Sequence, residues 1–300
     1  MSEITQVAVL GGGTMGRGIA HVAALAGYET RLADVSQEVL ESARRSIAKN
    51  LDKGVALGKV GADDAEAALE RLSLHRSLAE AVAGADLVIE AVPEEIALKL
   101  ELFAQAEAAA PAHALFATNT SGLSVTEMAA ATGRPERFAG MHFFNPVHVM
   151  RLVELVRGLE TSEETLRSLA AVARAMGKEV VTVNESPGFV TSRINALIGN
   201  EAFRMLQEGV ASAEDIDTAL KLGLNHPMGP FEMVDLVGLD VRLSILSYLH
   251  QTLGEAYRPS QLLVQHVRAG RLGKKVGRGV YEYDGEGKVN PRSAPAPPRR

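Results

Sequence analysis

Val7-Ala8-Val9-Leu10 runs directly into Gly11-Gly12-Gly13-Thr14-Met15-Gly16-Arg17-Gly18, and this junction decides the fold. A short apolar run rich in β-branched residues reads as a buried strand, and the apolar residues 21–26 beyond the glycines read as a helix. Within such a strand–turn–helix each glycine has a task. Gly11 permits the tight turn, Gly13 lets the backbone approach a pyrophosphate, and Gly16 lets the helix pack on the strand. Thr14 and Met15 lie between these glycines and belong to the same candidate cofactor site, where the helix N-terminus offers free N–H groups and partial positive charge. Glycine spacing alone also describes an ordinary turn. Here a second candidate strand, residues 29–34, ends in Asp34, whose carboxylate suits the adenine ribose hydroxyls and repels a 2′-phosphate. Without the glycines Asp34 would read as a cap for the next helix. With them, NAD is expected over NADP, and Arg31 two residues earlier does not reverse the preference.

Working outward, strand-like runs at 6–10, 29–34, 72–75, 87–92, 114–118, 138–143, 152–156 and 179–183 alternate with helical patterns such as 37–51, 96–110 and 163–176. That alternation predicts an α/β fold, a Rossmann-like doubly wound parallel sheet. After Ser186-Pro187-Gly188 the apolar spacing becomes helical, with helices expected at 189–208, 213–222, 231–236, 241–253 and 261–269 and a late strand at 280–283. The domains expected are residues 1–185 for NAD binding, 186–284 as an all-helical substrate and dimerisation domain, and 285–300 as a tail. Pro291, Pro295, Pro297 and Pro298 give that tail the composition of a disordered segment.

The chain has 300 residues, enough for two cores, and is 46% hydrophobic and 23% charged, as a globular protein should be. Its net charge of -6 argues against a nucleic-acid partner. Zero cysteines exclude disulfides, thiolate metal sites and a cysteine nucleophile, and no metal is expected. The longest uncharged stretch, residues 108–126, contains Pro111, His113 and Asn119, which a bilayer would not tolerate, and the N-terminus carries Glu3 and no early base. A cytoplasmic protein is expected.

Met141-His142-Phe143-Phe144-Asn145-Pro146 sets a histidine and an asparagine at a strand end among bulky apolar residues, and the next strand contains Glu154. Histidine moves protons near neutral pH, and a carboxylate behind it fixes the tautomer and stabilises the imidazolium. Oxidation of an alcohol needs such a base opposite a nicotinamide. Spacing alone equally allows a structural, hydrogen-bonded histidine.

Taken together, Gly11 to Gly18, Thr118-Asn119-Thr120-Ser121, the segment from Phe138 to Pro146, Leu152-Val153-Glu154, Ser186-Pro187-Gly188-Phe189, Pro227-Met228-Gly229-Pro230-Phe231 and Gly238-Leu239-Asp240 resemble the L-3-hydroxyacyl-CoA dehydrogenase family, most of all its single-function 3-hydroxybutyryl-CoA members. The resemblance implies NAD-dependent interconversion of (S)-3-hydroxyacyl-CoA and 3-oxoacyl-CoA, a place in fatty-acid β-oxidation, and a homodimer formed through the helical domain. It implies His142 as general base with Glu154 orienting it, and Ser121 and Asn145 in contact with the reacting oxygen, the thioester or the nicotinamide amide. It also places Glu94, Lys99 and Lys275 near the cofactor, although a Glu and a Lys five apart on a helix otherwise read as solvated charges. Ser121 by itself reads as a turn hydroxyl.

Family members commonly carry Asn where this chain has Ser192, so Ser192 and Asn195, one helical turn apart, are both candidate substrate contacts, and Asn50 and Lys53 are the candidates toward coenzyme A. The acyl-CoA reading has two rivals: a dehydrogenase of a free hydroxy acid such as gulonate, and a non-catalytic, crystallin-like cofactor-binding protein. Leu236, Val237, Leu243, Leu246 and Leu249 read either as domain core or as a dimer surface.

Overall fold

A computed structural model describes residues 4–285, and the chain divides between Ser186 and Pro187 into two compact units. The first unit runs β1 (Gln6–Leu10), α1 (Thr14–Leu25), β2 (Glu29–Ala33), α2 (Gln37–Ala56), α3 (Ala62–Glu70), β3 (Leu72–His75), α4 (Leu78–Val82), β4 (Leu87–Glu90), α5 (Ile96–Ala109), β5 (Leu115–Thr118), α6 (Val125–Ala130), β6 (Phe138–Phe143), β7 (Leu152–Arg157), α7 (Glu163–Ala175) and β8 (Glu179–Asn184). Serines start four of these helices: Ser36, Ser77, Ser124 and Ser162 each accept the N–H of the residue three further on.

The strands form one sheet in the order β3-β2-β1-β4-β5-β6-β7-β8. Every side chain of β4, β5 and β6 is buried, which explains their continuous apolar reading. Val7, Val9, Leu32, Leu87, Ile89, Leu115 and Ala117 pack with Ile19, Leu40, Ile47, Leu166 and Leu169 in one core. The sheet is parallel from β3 to β6, but β7 is antiparallel to β6, a departure from the all-parallel expectation. The link between them, residues 144–151, carries no crossover helix, so the chain must turn back on itself. Chain order reverses between β1 and β4, and in doubly wound sheets ligands lie beyond the carboxyl ends of the strands at that switch point.

The second unit comprises α8 (Thr191–Glu208), α9 (Ala213–Gly223), α10 (Pro230–Val237), α11 (Leu239–Leu253) and α12 (Gln261–Arg268), packed around Phe203, Leu206, Phe231, Val234, Leu246, Leu249 and Leu263. Leu246 and Leu249 are core, whereas Leu236 and Val237 are exposed, so the apolar helical face divides between the two readings.

The expected strand at 280–283 does not form. Only isolated bridges join Gly273 to Arg278 and Arg278 to Glu282. The N–H groups of Val280 and Tyr281 donate instead to the buried Asp235 carboxylate, at 2.8 and 2.9 Å, and the Tyr283 hydroxyl donates to it at 2.8 Å. Asp217 makes a second anchor, accepting from the N–H of Phe231 and of Glu232 and from the Tyr281 hydroxyl. The tail expected at 285–300 lies, apart from Gly285, outside the described residues.

Candidate active site

His142 and Glu154 are opposite residues of the β6–β7 ladder, so the antiparallel register sets both side chains on one face. His142 Nδ1–H donates to Glu154 Oε2 across 2.8 Å, with both residues buried. An ionised carboxylate can only accept, so this bond fixes the tautomer and makes Nε2 the proton-accepting atom. The Phe144 ring lies 4.5 Å from the imidazole, centroid to centroid, and the Phe143 N–H donates to Asn119 Oδ1 at 2.8 Å, tying the ends of β5 and β6 together. Asn145 is exposed in the link that follows.

The glycine turn is shaped as its sequence requires. Gly11 sits at φ +102°, where a Cβ would come within 2.7 Å of the Ala91 carbonyl oxygen, and a Cβ on Gly16 would lie 1.7 Å from the Gly11 oxygen. At Gly13 a Cβ would meet nothing within 4 Å, so the space before the α1 N-terminus is open. Thr14 is exposed and Met15 half-buried on the first turn of that helix. Asp34 follows β2 and accepts the Gly12 N–H at 2.8 Å and the Ser36 N–H at 2.9 Å, which holds its carboxylate at the lip of the turn. Ser36, not Asp34, caps α2. Arg31 is turned elsewhere, donating to the carbonyls of Glu80 and Ala83 at α4. An open anion-compatible helix end beside a carboxylate fits a dinucleotide without a 2′-phosphate.

Lys99 is not a solvated charge. It is buried on α5 and donates to Glu90 Oε1 at 2.6 Å, while Glu94 Oε2 lies 3.2 Å away. Glu94 Oε1 accepts from the Thr120 hydroxyl at 2.6 Å, the Ser121 N–H at 2.9 Å and the Ser121 hydroxyl at 3.2 Å. Glu90, the last residue of β4, also accepts from Thr118 Oγ1 at 2.6 Å and the Val92 N–H at 2.7 Å. Burial raises the Glu90 carboxyl above the usual range, against the opposing pull of Lys99. Sequence reading missed Glu90; its one local signal is an acid closing the apolar run Leu87-Val88-Ile89.

Asn50 and Lys53 lie on the last turns of α2 and line a cavity of about 610 Å3 together with His21, His148, Arg151 and Lys178. His21 stacks on His148 with ring centroids 5.3 Å apart, and Lys178 donates to the carbonyls of Val147 and Met150. Burial first, then the charges of His148 and Lys178, lower His21 to about 4. Thus the structure brings together the glycine turn with Asp34, the His142–Glu154 pair, and the Glu94–Lys99–Ser121 group as three clusters of the first unit. Ser192, Asn195 and Lys275 belong to the second unit: the first two are partly buried on α8, and Lys275 Nζ contacts both Asp240 oxygens at 2.7 Å.

Residues 6–186 match the family of 3-hydroxyacyl-CoA dehydrogenase NAD binding domains, and residues 188–283 match the family of 3-hydroxyacyl-CoA dehydrogenase C-terminal domains. The chain is 48% identical over 283 residues to a probable 3-hydroxybutyryl-CoA dehydrogenase of Bacillus subtilis (strain 168), an alignment covering 94% of this chain and 98% of that one. It is 41% identical over 287 residues to the human mitochondrial hydroxyacyl-coenzyme A dehydrogenase, covering 93% and 91%. Among solved structures it resembles the (S)-3-hydroxybutyryl-CoA dehydrogenase of Ralstonia eutropha with a TM-score of 0.90 at 42% identity, covering 94% of this chain and all of that one. With both of its domains matched and relatives of this identity aligned over nearly their whole length, the chain belongs to the 3-hydroxyacyl-CoA dehydrogenase family.

Proposed function

We propose that the protein interconverts (S)-3-hydroxybutyryl-CoA and acetoacetyl-CoA with NAD. The observation that carries the reading is the buried His142–Glu154 bond across β6 and β7, and the names of the Bacillus and Ralstonia relatives support the acyl chain. NAD, when bound, supplies the acceptor for the hydride that leaves the alcohol carbon. His142 Nε2 takes the hydroxyl proton, and Glu154 stabilises the imidazolium that results. Ser121 and Asn145 hold the reacting oxygen in line, which limits the geometries the substrate can sample before reaction. Reduction of the ketone runs the same steps backwards, with the imidazolium returning its proton.

Gly11, Gly13, Thr14, Met15, Gly16 and Asp34 hold the cofactor in this reading, with Glu94, Lys99 and Lys275 beside it. Asn50 and Lys53 face coenzyme A, supported by the cations Lys53, Arg151 and Lys178 around the cavity. Ser192 and Asn195 are the substrate contacts of the helical unit. The proposal includes a homodimer, supported by the exposed Leu236, Val237 and Val241, and a cytoplasmic location, which a cysteine-free acidic chain suits. Among the described residues no helix is long and apolar enough to cross a membrane.

The test is loss of the NADH absorbance on addition of acetoacetyl-CoA. Turnover that His142→Gln abolishes supports the reading. NAD reduction with a free hydroxy acid such as gulonate, and none with the acyl-CoA pair, overturns it, as does cofactor binding without turnover.

A further inference from the structure

Glu90 lies at the carboxyl end of β4 beside the switch point, fully buried, and next to Ala91, whose N–H donates to Leu10 O at 2.7 Å just before the glycine turn. Its oxygens are held from three directions, by the Val92 N–H, by the Thr118 hydroxyl of β5 and by Lys99 of α5. Lys99 has three ammonium protons and three acceptors around it: Glu90 Oε1 at 2.6 Å, Glu94 Oε2 at 3.2 Å and Val92 O at 3.5 Å. Glu94 is partly exposed and long-stemmed. What fixes it is Lys99 on one oxygen and the Thr120 and Ser121 donors on the other.

We infer that Glu90 is a positioning residue: through Lys99 and Glu94 it sets where the Ser121 hydroxyl stands. Stability alone does not account for it, because a buried ion pair is commonly no more stable than a well-packed apolar pair of the same volume. Its place does account for it. The relay runs from the sheet's buried interior through the buried Lys99 to Glu94 and so to a side chain at the carboxyl edge, and none of the four residues is a neighbour of the next in sequence. The inference rests on the proposed role of Ser121 in catalysis.

Two measurements test it. In the first, Glu90→Gln, which keeps shape and removes charge, is combined with Ser121→Ala in a double-mutant cycle. Glu90→Gln alone is expected to lower kcat about tenfold, a loss of alignment rather than of a reacting group. In the Ser121→Ala background it should change kcat by less than about twofold, because the group it positions is gone. Equal factors in both backgrounds would show that Glu90 supports the fold only and would overturn the inference, as would an unchanged kcat in the single variant. The second measurement needs no turnover. In the ligand-free protein the Ser121 amide resonance should move on Glu90→Gln, and should no longer respond to Glu90→Gln once Glu94→Gln is present. A Ser121 amide that ignores Glu90 sinks the relay even if the enzyme is active, while a wild type without acetoacetyl-CoA turnover sinks the proposed activity and leaves the relay to be decided by this arm. If Glu90→Gln does not fold, Thr118→Val removes one anchor and keeps the charge. It passes through the same two arms, with a smaller kcat loss and the same disappearance of the effect in Ser121→Ala.

Discussion

One imidazole proton separates the proposed enzyme from a cofactor-binding protein. Replacing His142 with Gln keeps a polar side chain of similar reach but no base, so kcat should fall by about 10² or more while NADH binding, followed by its fluorescence, stays near wild type. Glu154→Gln should lower kcat as well, because the imidazolium formed in the reaction loses its counter-charge; a near-wild-type rate would remove Glu154 from the mechanism. At the other end of the site, Asp34→Ala should reduce the preference for NAD over NADP, read as the ratio of kcat/KM values. Unchanged preference would mean that a different group reads the ribose. Gly16 makes a purely steric prediction. With a Cβ 1.7 Å from the Gly11 oxygen, Gly16→Ala must part α1 from the turn, and a loss of about 2 kcal/mol or more is expected in thermal unfolding.

Among the elements, what hydrophobic patterning can register was legible and what it cannot was not. The runs at 6–10 and 138–143 coincide with β1 and β6 residue for residue, because burial on both faces leaves an apolar block, and the run at 72–75 coincides with β3, where only Leu72 is buried. Strand direction leaves no such mark. The turn-back before β7 was readable only indirectly, from a link too short for a crossover. The proposed catalytic pair, His142 and Glu154, was nominated by residue type, yet its pairing is a matter of register. Lys99 and Glu90 look like ordinary charges in sequence, since the partners that bury them lie on other elements. For the same reason Asp235 gave no local sign that it would capture the backbone 45 residues later and forestall a strand there.

The contact between α1 and the β6–β7 link also carries a pH prediction. His21 is buried, stacked on His148, and lowered to about 4 from an ordinary 6.5. The folded protein therefore keeps it neutral where the unfolded chain takes up a proton. The stability it contributes is present above about pH 6.5 and is lost as pH falls toward 4. At about 1.4 kcal/mol per pKa unit the full effect is on the order of 3 kcal/mol. Melting temperatures measured from pH 7 to 4.5 should fall, and fall less steeply in His21→Gln; identical slopes would assign the acid sensitivity to other groups.

For the whole molecule, the proposed assembly is a homodimer. Leu236, Val237 and Val241 are exposed apolar residues on α10 and α11 while their neighbours Leu246 and Leu249 are core. Leu236→Asp together with Val241→Asp should leave the fold intact and shift sedimentation to that of a 31.9 kDa monomer. A sedimentation coefficient unmoved from wild type would place the dimer contact elsewhere or exclude it.

The anchoring of residues 280–283 by Asp235 and Asp217 has a consequence for how the protein is made and destroyed. A ribosome that stops short of Val280 releases a second unit in which Asp235 has lost its Val280, Tyr281 and Tyr283 donors. The lost hydrogen bonds to Asp235 and the lost burial of Val280 and Tyr281 together remove several kcal/mol, a large share of the roughly 5–15 kcal/mol that holds a typical domain together. Such a product should remain open to proteases even though α8 to α12 have all been synthesised, so the codons for residues 280–283 decide whether the polypeptide persists in the cell.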